Sequence, residues 1–253
     1  RYHRPMTEEL FRQDARLHAC SAHITACTDA GIELDRTVFY PLGGGQAGDS
    51  GVLVLDDGSP LTIADTRKAK DADGQPTGGI VHVPAAGQET LLARLAPGQS
   101  VTARIDAERR QRMMRLHTTT HLLCHVVPHL VNGCSITPDY ARLDFAMTDP
   151  LDKEQLTAAI AALVAAALPV TVASISDEEL DANPSLVKSM SVQPPRGTGR
   201  IRTIRIGAEG GPLIDLQPCG GTHVANTAEI GAIVVTKIEK KSATTRRVVL
   251  GFA

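Results

Sequence analysis

His117-Thr118-Thr119-Thr120-His121 sets two imidazoles four residues apart. On a helix that spacing stacks both on one face, about 6 Å apart along the axis, where they can reach one ion. Far along the chain, Cys219-Gly220-Gly221-Thr222-His223 offers a soft thiolate and another imidazole on a turn that its glycines permit. Either pair alone fits ordinary packing. Together they supply three nitrogens and one sulfur, the donor set zinc prefers over the hard, oxygen-seeking cations magnesium and calcium. Zinc held by His117, His121, Cys219 and His223 is the expectation. Four protein donors would close a tetrahedron, whereas a catalytic zinc keeps a position for water or substrate. Structural and catalytic roles therefore both stay open, as does the identity of a ligand that could step aside.

The obvious alternatives lack parts. A metallopeptidase helix carries Glu beside its first His as general base, and Thr118 stands there instead. No Gly-x-Ser-x-Gly elbow supplies a serine nucleophile. A third motif runs Phe39-Tyr40-Pro41-Leu42-Gly43-Gly44-Gly45-Gln46, followed by Asp49-Ser50-Gly51. Consecutive glycines fit a hairpin turn, or a loop pressed against a ligand or the metal cleft. The Gln46 amide would offer a donor and an acceptor there. No Lys-Ser/Thr follows, so it is not a phosphate-binding loop.

The elements that must carry these residues change character along the chain. Short β-prone runs separated by Gly, Asp and Pro turns fill residues 14–105 (Leu17–Cys20, Thr37–Tyr40, Gly51–Leu55, Leu61–Ile63, Ile80–Val83), predicting a small antiparallel β-barrel. From Ala107 to Val127 the apolar period becomes helical until Pro128 stops it, which places the first His pair mid-helix. A second helix is expected over 152–168 with Asp152 as its cap. Strands are expected over 170–176, 201–206, 212–216, 229–238 and 247–252, with a Pro194–Gly199 linker among them. The fold class is thus α+β, divided into an N-terminal barrel-like domain, 1–105, and a second domain, 106–253, with its zinc-bearing helix against an antiparallel sheet.

The 253 residues, 42% apolar and 21% charged, suffice for buried cores and exclude wholesale disorder. The most apolar stretch, Leu156 to Val172, is broken by Pro169 and falls short of the roughly 18 residues a membrane span needs. Arg1-Tyr2-His3-Arg4-Pro5 has no apolar run resembling an export signal and no initiator Met, so residues can be missing ahead of it. Five irregularly spaced cysteines fit a reducing compartment, and the expected location is cytoplasmic. Net charge is only -2, yet Arg104–Arg115 carries +3, and Arg196–Arg205 and Lys237–Arg247 carry +4 each. Converging, these stretches would make an anion-binding face.

HTTTHLL at His117–Leu123, DLQPCGGTHVANTAEIG at Asp215–Gly231 and FYPLGGGQAGDSG at Phe39–Gly51 resemble the alanyl-tRNA editing proteins of the AlaX family, free-standing relatives of the editing domain of alanyl-tRNA synthetase. The resemblance spans most of the chain, and the N-terminal glycine motif is similar to that of the longer, two-domain members. It implies zinc at the four residues above and a substrate pocket walled partly by Gly43, Gly44, Gly45 and Gln46. The implied reaction is hydrolysis of the ester in tRNA(Ala) mischarged with serine, with glycine as a further possibility. Sparing alanine requires a hydrogen bond to the serine hydroxyl, because a site with unpaired polar groups rejects the analogue lacking it. Gln46, Thr118, Thr119 and Thr222 are the candidates for that contact, each Thr having ordinary packing as its bland alternative. Arg109, Arg112, Arg115, Lys237, Lys240, Lys241, Arg246 and Arg247 would hold tRNA phosphates. Two other readings compete: a non-catalytic RNA-binding module stapled by zinc, and a peptidyl-tRNA hydrolase suggested by Gly44-Gly45-Gln46, which leaves the zinc ligands unexplained.

Overall fold

A computed structural model describes residues 6–197 and 199–253. Residues 1–5, on which the expectation of no export signal rests, and Thr198 of the proline-glycine linker lie outside them. The chain divides into two compact units, one of residues 1–43 and 47–110, the other of residues 44–46 and 111–253.

In the first unit six strands close on themselves: β1 (Ala19–Thr28), β2 (Gly31–Leu34), β3 (Gly51–Leu55), β4 (Pro60–Lys70), β5 (Pro76–Pro84) and β6 (Ser100–Ile105). Every pairing is antiparallel, in the order β1-β2-β5-β4-β3-β6 and back to β1. Alternation along the strands drives the closure, since one face of each strand must leave water. In β4, for example, Leu61 and Ile63 are buried between exposed neighbours and pack with Ile24, Leu34, Leu53 and Val101. Thr37–Tyr40 is not the strand expected. Only Arg36–Thr37 pairs, in parallel with Glu8–Glu9, because the next backbone donors turn to side chains: Phe39 N–H to Thr37 Oγ1 and Tyr40 N–H to Asp49 Oδ2.

The barrel unit also buries charge. The fully buried Arg110 guanidinium is paired with Asp49 and donates to the carbonyls of Val38 at 2.7 Å and Ala15 at 3.0 Å. His82 is equally buried, its Nδ1 2.8 Å from the Ile32 carbonyl and its Nε2 2.8 Å from Thr37 Oγ1. Burial presses its pKa down to about 4 against the pull of that carbonyl, so the ring is neutral.

Helix α1 (Ala107–Val126) belongs to the second unit from Gln111 onward. Asp106 caps it by accepting the Arg109 N–H at 3.0 Å. Every residue from Leu116 to Cys124 is buried, so this is an enclosed helix whose polar HTTTH segment must find its partners inside protein. Strands β7 (Val131–Ile136) and β8 (Tyr140–Ala146) follow, neither expected from sequence. Helix α2 (Lys153–Ala165) starts where expected, with Asp152 accepting the Gln155 N–H at 2.8 Å. Strands β9 (Val170–Ile175), β10 (Ile201–Ile206) and β11 (Asp215–Pro218) form one antiparallel sheet. Strands β12 (Ile233–Ser242) and β13 (Thr245–Phe252) complete another, ordered β12-β13-β8-β7. The strand expected from residue 229 begins at Ile233 because Asn226 caps a short 3-10 turn, Thr227–Ile230, and Glu229 reaches back to the Asn226 N–H at 2.7 Å. No helix among the described residues is long and apolar enough to cross a membrane.

Candidate metal centre

Helix α1 presents His117 and His121 one turn apart, and the loop leaving β11 presents Cys219 and His223. Their four donor atoms lie within 4.8 Å of one another. Cys219 Sγ is 3.3 Å from His223 Nε2 and 3.6 Å from His117 Nε2. The three rings pack edge and face, with centroids 4.2 to 5.3 Å apart. The histidines are only 4 to 7% exposed, while Cys219 and Gly220 are half-buried, so solvent borders the cluster on the thiolate side.

The loop is held in a shape that requires a glycine at position 221. Arg202 on β10 donates through Nη1 to the carbonyls of Cys219 at 2.7 Å and Gly221 at 3.0 Å. A Cβ on Gly221 would lie 2.2 Å from His117 Cε1 and 2.8 Å from Gln46 Oε1, so the imidazole and amide occupy the space a side chain would take. Gly45, at φ +86°, is pressed against β7: a Cβ there would lie 2.9 Å from the Cys134 carbonyl. Its own carbonyl accepts the Ile136 N–H at 2.8 Å.

Each imidazole keeps one nitrogen for protein and one for the cluster. His121 Nδ1 is 3.1 Å from Asp215 Oδ2, which also accepts from Gln217 Nε2 at 2.8 Å. His223 Nδ1 is 3.0 Å from Thr118 Oγ1, itself an acceptor for the Val224 N–H at 3.2 Å. His117 Nδ1 is 2.7 Å from Gln46 Oε1. The electrostatics single out one thiol. Burial would raise Cys219, but His117 and His223 beside it hold it well below its usual range, as a thiolate. Burial pushes Cys124 and Cys134 up to about 12, so both stay protonated. Burial also opposes charge on His121, yet Asp215 and Cys219 raise it to about 9. Burial and the charge of His117 hold His223 well below its ordinary value.

The structure thus brings all four expected ligands together and makes Asp215, unmarked in the sequence reading, the orienting partner of His121. The four candidates for the serine hydroxyl, Gln46, Thr118, Thr119 and Thr222, are all 0% exposed. Each has a partner within the protein: Thr119 Oγ1 donates to the Arg115 carbonyl one turn back at 2.7 Å, and Thr222 Oγ1 accepts from Gln46 Nε2 at 2.8 Å. Gly43, in the first unit, accepts the Tyr40 hydroxyl at 2.8 Å, and Gly44 takes φ +59°.

The basic residues expected to hold tRNA separate into committed and exposed. Arg246 is buried, its guanidinium spent on the carbonyls of Ser242, Thr245 and Thr148. Arg247 makes a two-pronged pair with Asp144 at 2.7 and 3.0 Å. Arg112 and Arg115 stack on Phe252 at 4.1 and 4.6 Å and donate to the carbonyls of Pro138 and Ile230. In the first unit Arg109 donates to the Gly48 carbonyl at 3.1 Å. Lys237, Lys240 and Lys241 on β12 are exposed, two of them flanking Glu239.

The family model described as "Threonyl and Alanyl tRNA synthetase second additional domain" matches residues 201–249, which include Cys219 and His223. The chain is 32% identical to the alanyl-tRNA editing protein AlaX-M of Methanosarcina barkeri, over 96% of this chain and 97% of that one. It is 30% identical to the AlaX-M of Saccharolobus solfataricus, over 96% and 98%. It is also 34% identical to the alanine–tRNA ligase of Metallosphaera sedula over 93% of this chain, but spans only 25% of that enzyme's length.

Proposed function

Because this chain belongs to the AlaX-M family of alanyl-tRNA editing proteins, we propose that it is a trans-editing hydrolase. Its substrate is tRNA(Ala) mischarged with serine, with glycine as a second misacylated residue, and its cofactor is zinc on His117, His121, Cys219 and His223. One observation carries the reading: a half-buried thiolate and three buried imidazoles converge with the second nitrogen of each ring already occupied. Tetrahedral zinc, with bonds of about 2.0–2.1 Å to nitrogen and 2.3 Å to sulfur, needs an S-to-N edge of about 3.6 Å. The two such distances here, 3.3 and 3.6 Å, fit that edge. Bound zinc would supply a Lewis acid that polarises the ester carbonyl.

The chain's own residues do the rest. Asp215 holds the proton on His121 Nδ1, and Thr118 holds the outer nitrogen of His223. The ester approaches from the side of Cys219 and Gly220, where the cluster borders solvent. Lys237, Lys240 and Lys241 hold phosphates. An aminoacyl ester is labile enough that positioning and a polarised carbonyl, with no strong nucleophile, suffice. The zinc-loaded protein should hydrolyse Ser-tRNA(Ala) and spare Ala-tRNA(Ala); absence of Ser-tRNA(Ala) hydrolysis by fully loaded protein overturns the reading.

A second reading draws on the closed donor set, since four protein ligands also suit a structural zinc in a non-catalytic RNA-binding module. His117→Ala separates the two. The hydrolase stays folded and loses turnover, whereas the module loses its fold along with its metal.

A further inference from the structure

We propose that Gln46 is a positioning residue that selects the proton-bearing nitrogen of His117 and so sets how tightly the centre holds its metal. The proposal rests on the Cys-His3 metal reading above and goes beyond it, because it gives the fully buried Gln46 side chain a role toward a metal ligand in addition to the substrate-pocket role expected of its motif.

Amide oxygen and nitrogen look alike, and the direction of a histidine hydrogen bond depends on its tautomer, so both must be assigned from partners that have no choice. Here such a partner exists. The Thr222 backbone N–H can only donate, and it lies 3.2 Å from Gln46 Oε1. An amide turned the other way would set its NH2 group against that N–H. The oxygen is therefore fixed toward Thr222 N, and the NH2 group toward Thr222 Oγ1, a hydroxyl able to accept it at 2.8 Å. The same oxygen lies 2.7 Å from His117 Nδ1. An amide oxygen has lone pairs only, so Nδ1 must carry the proton. In the neutral ring that a metal requires, Nε2 is then the nitrogen with a lone pair, and it is the one 3.6 Å from Cys219 Sγ.

One backbone donor thus dictates the state of a ligand through a single amide. The bare face of Gly221 admits both groups. Gln46 serves His117 as Asp215 serves His121, through a neutral oxygen in place of a charged one.

The test compares Gln46→Leu with Gln46→Glu in the full chain. Zinc affinity is read by competition with a chromogenic chelator, the ligand field by the visible spectrum of the cobalt-substituted protein, and folding by circular dichroism. Losing an orienting partner of a metal ligand typically costs 10–100-fold in affinity. Gln46→Leu should lose that much and alter the cobalt spectrum. Gln46→Glu should hold zinc at least as well as the natural chain, since a carboxylate accepts from both N–H groups and the Thr222 hydroxyl can turn to donate. Long-range proton–nitrogen NMR of the zinc-loaded protein should show His117 ligating through Nε2 with Nδ1 protonated. Natural affinity in Gln46→Leu, equal losses in both variants, or ligation through Nδ1 overturns the proposal and leaves the metal reading standing. A natural chain that binds no zinc removes both.

Discussion

Two buried clusters of ionisable side chains, one in each unit, face the same physical problem and resolve it differently. In the barrel unit the fully buried guanidinium and ring are both answered by protein: Arg110 by Asp49 and two carbonyls, both nitrogens of His82 by Ile32 and Thr37. In the second unit each of the three clustered histidines is answered by protein on one nitrogen, and the other lies toward a thiolate and further imidazoles. Burial alone therefore does not mark a functional site, since His82 is buried more completely than His117. The mark is the valence left over after the protein has satisfied all it can.

That contrast can be broken by experiment. Removing Arg110 as Arg110→Met strands the Asp49 carboxylate and should cost about 3–5 kcal/mol of unfolding free energy. Arg110→Met with Asp49→Asn should recover part of it, because the penalty is the uncompensated charge. Equal losses in the single and double variants, by urea denaturation, would mean the pair is not the structural element it looks to be.

His82 predicts a pH dependence of definite sign. Its pKa is depressed in the fold, from 6.5 to about 4, so the neutral ring is favoured there. Its contribution is complete above pH 6.5 and is lost as the pH falls through 4, about 3 kcal/mol in total. Urea midpoints between pH 7 and 4 should show this loss in the natural chain and a flatter profile in His82→Gln; parallel profiles would deny His82 the role.

In the second unit Gly221→Ala drives a methyl group into the His117 ring. Zinc affinity should fall about 10–100-fold, comparable to losing an orienting partner. Unchanged affinity would show that the ring has room to move and that the cluster is less tightly held than the barrel's.

What could be read from the chain follows the same division. The four converging donors were legible because HTTTH and CGGTH encode local spacing, and α2 was legible through its Asp152 cap. Gln46 was visible as part of a motif, but its work depends on Thr222, whose proximity no local pattern announces. Asp215 lay unmarked because a carboxylate gains meaning only from what it faces. Arg247 read as a free base because its partner, Asp144, is set opposite it only by the register between β8 and β13. Strand β7 escaped notice because Val131-Asn132-Gly133-Cys134-Ser135-Ile136 sets polar residues and a glycine between its apolar ends, with no alternation of apolar and polar residues to mark it.

The bond between Gln46 and Thr222 joins residues 176 positions apart. A ribosome releases Gln46 long before Thr222, so during synthesis His117 waits without its clamp while earlier parts of the chain settle. Closing so long a loop is slow compared with forming a helix or hairpin. Any competence to capture metal is thus among the last properties the nascent polypeptide acquires, and a prematurely terminated product lacking the final third would carry only two of the cluster's four donors, His117 and His121.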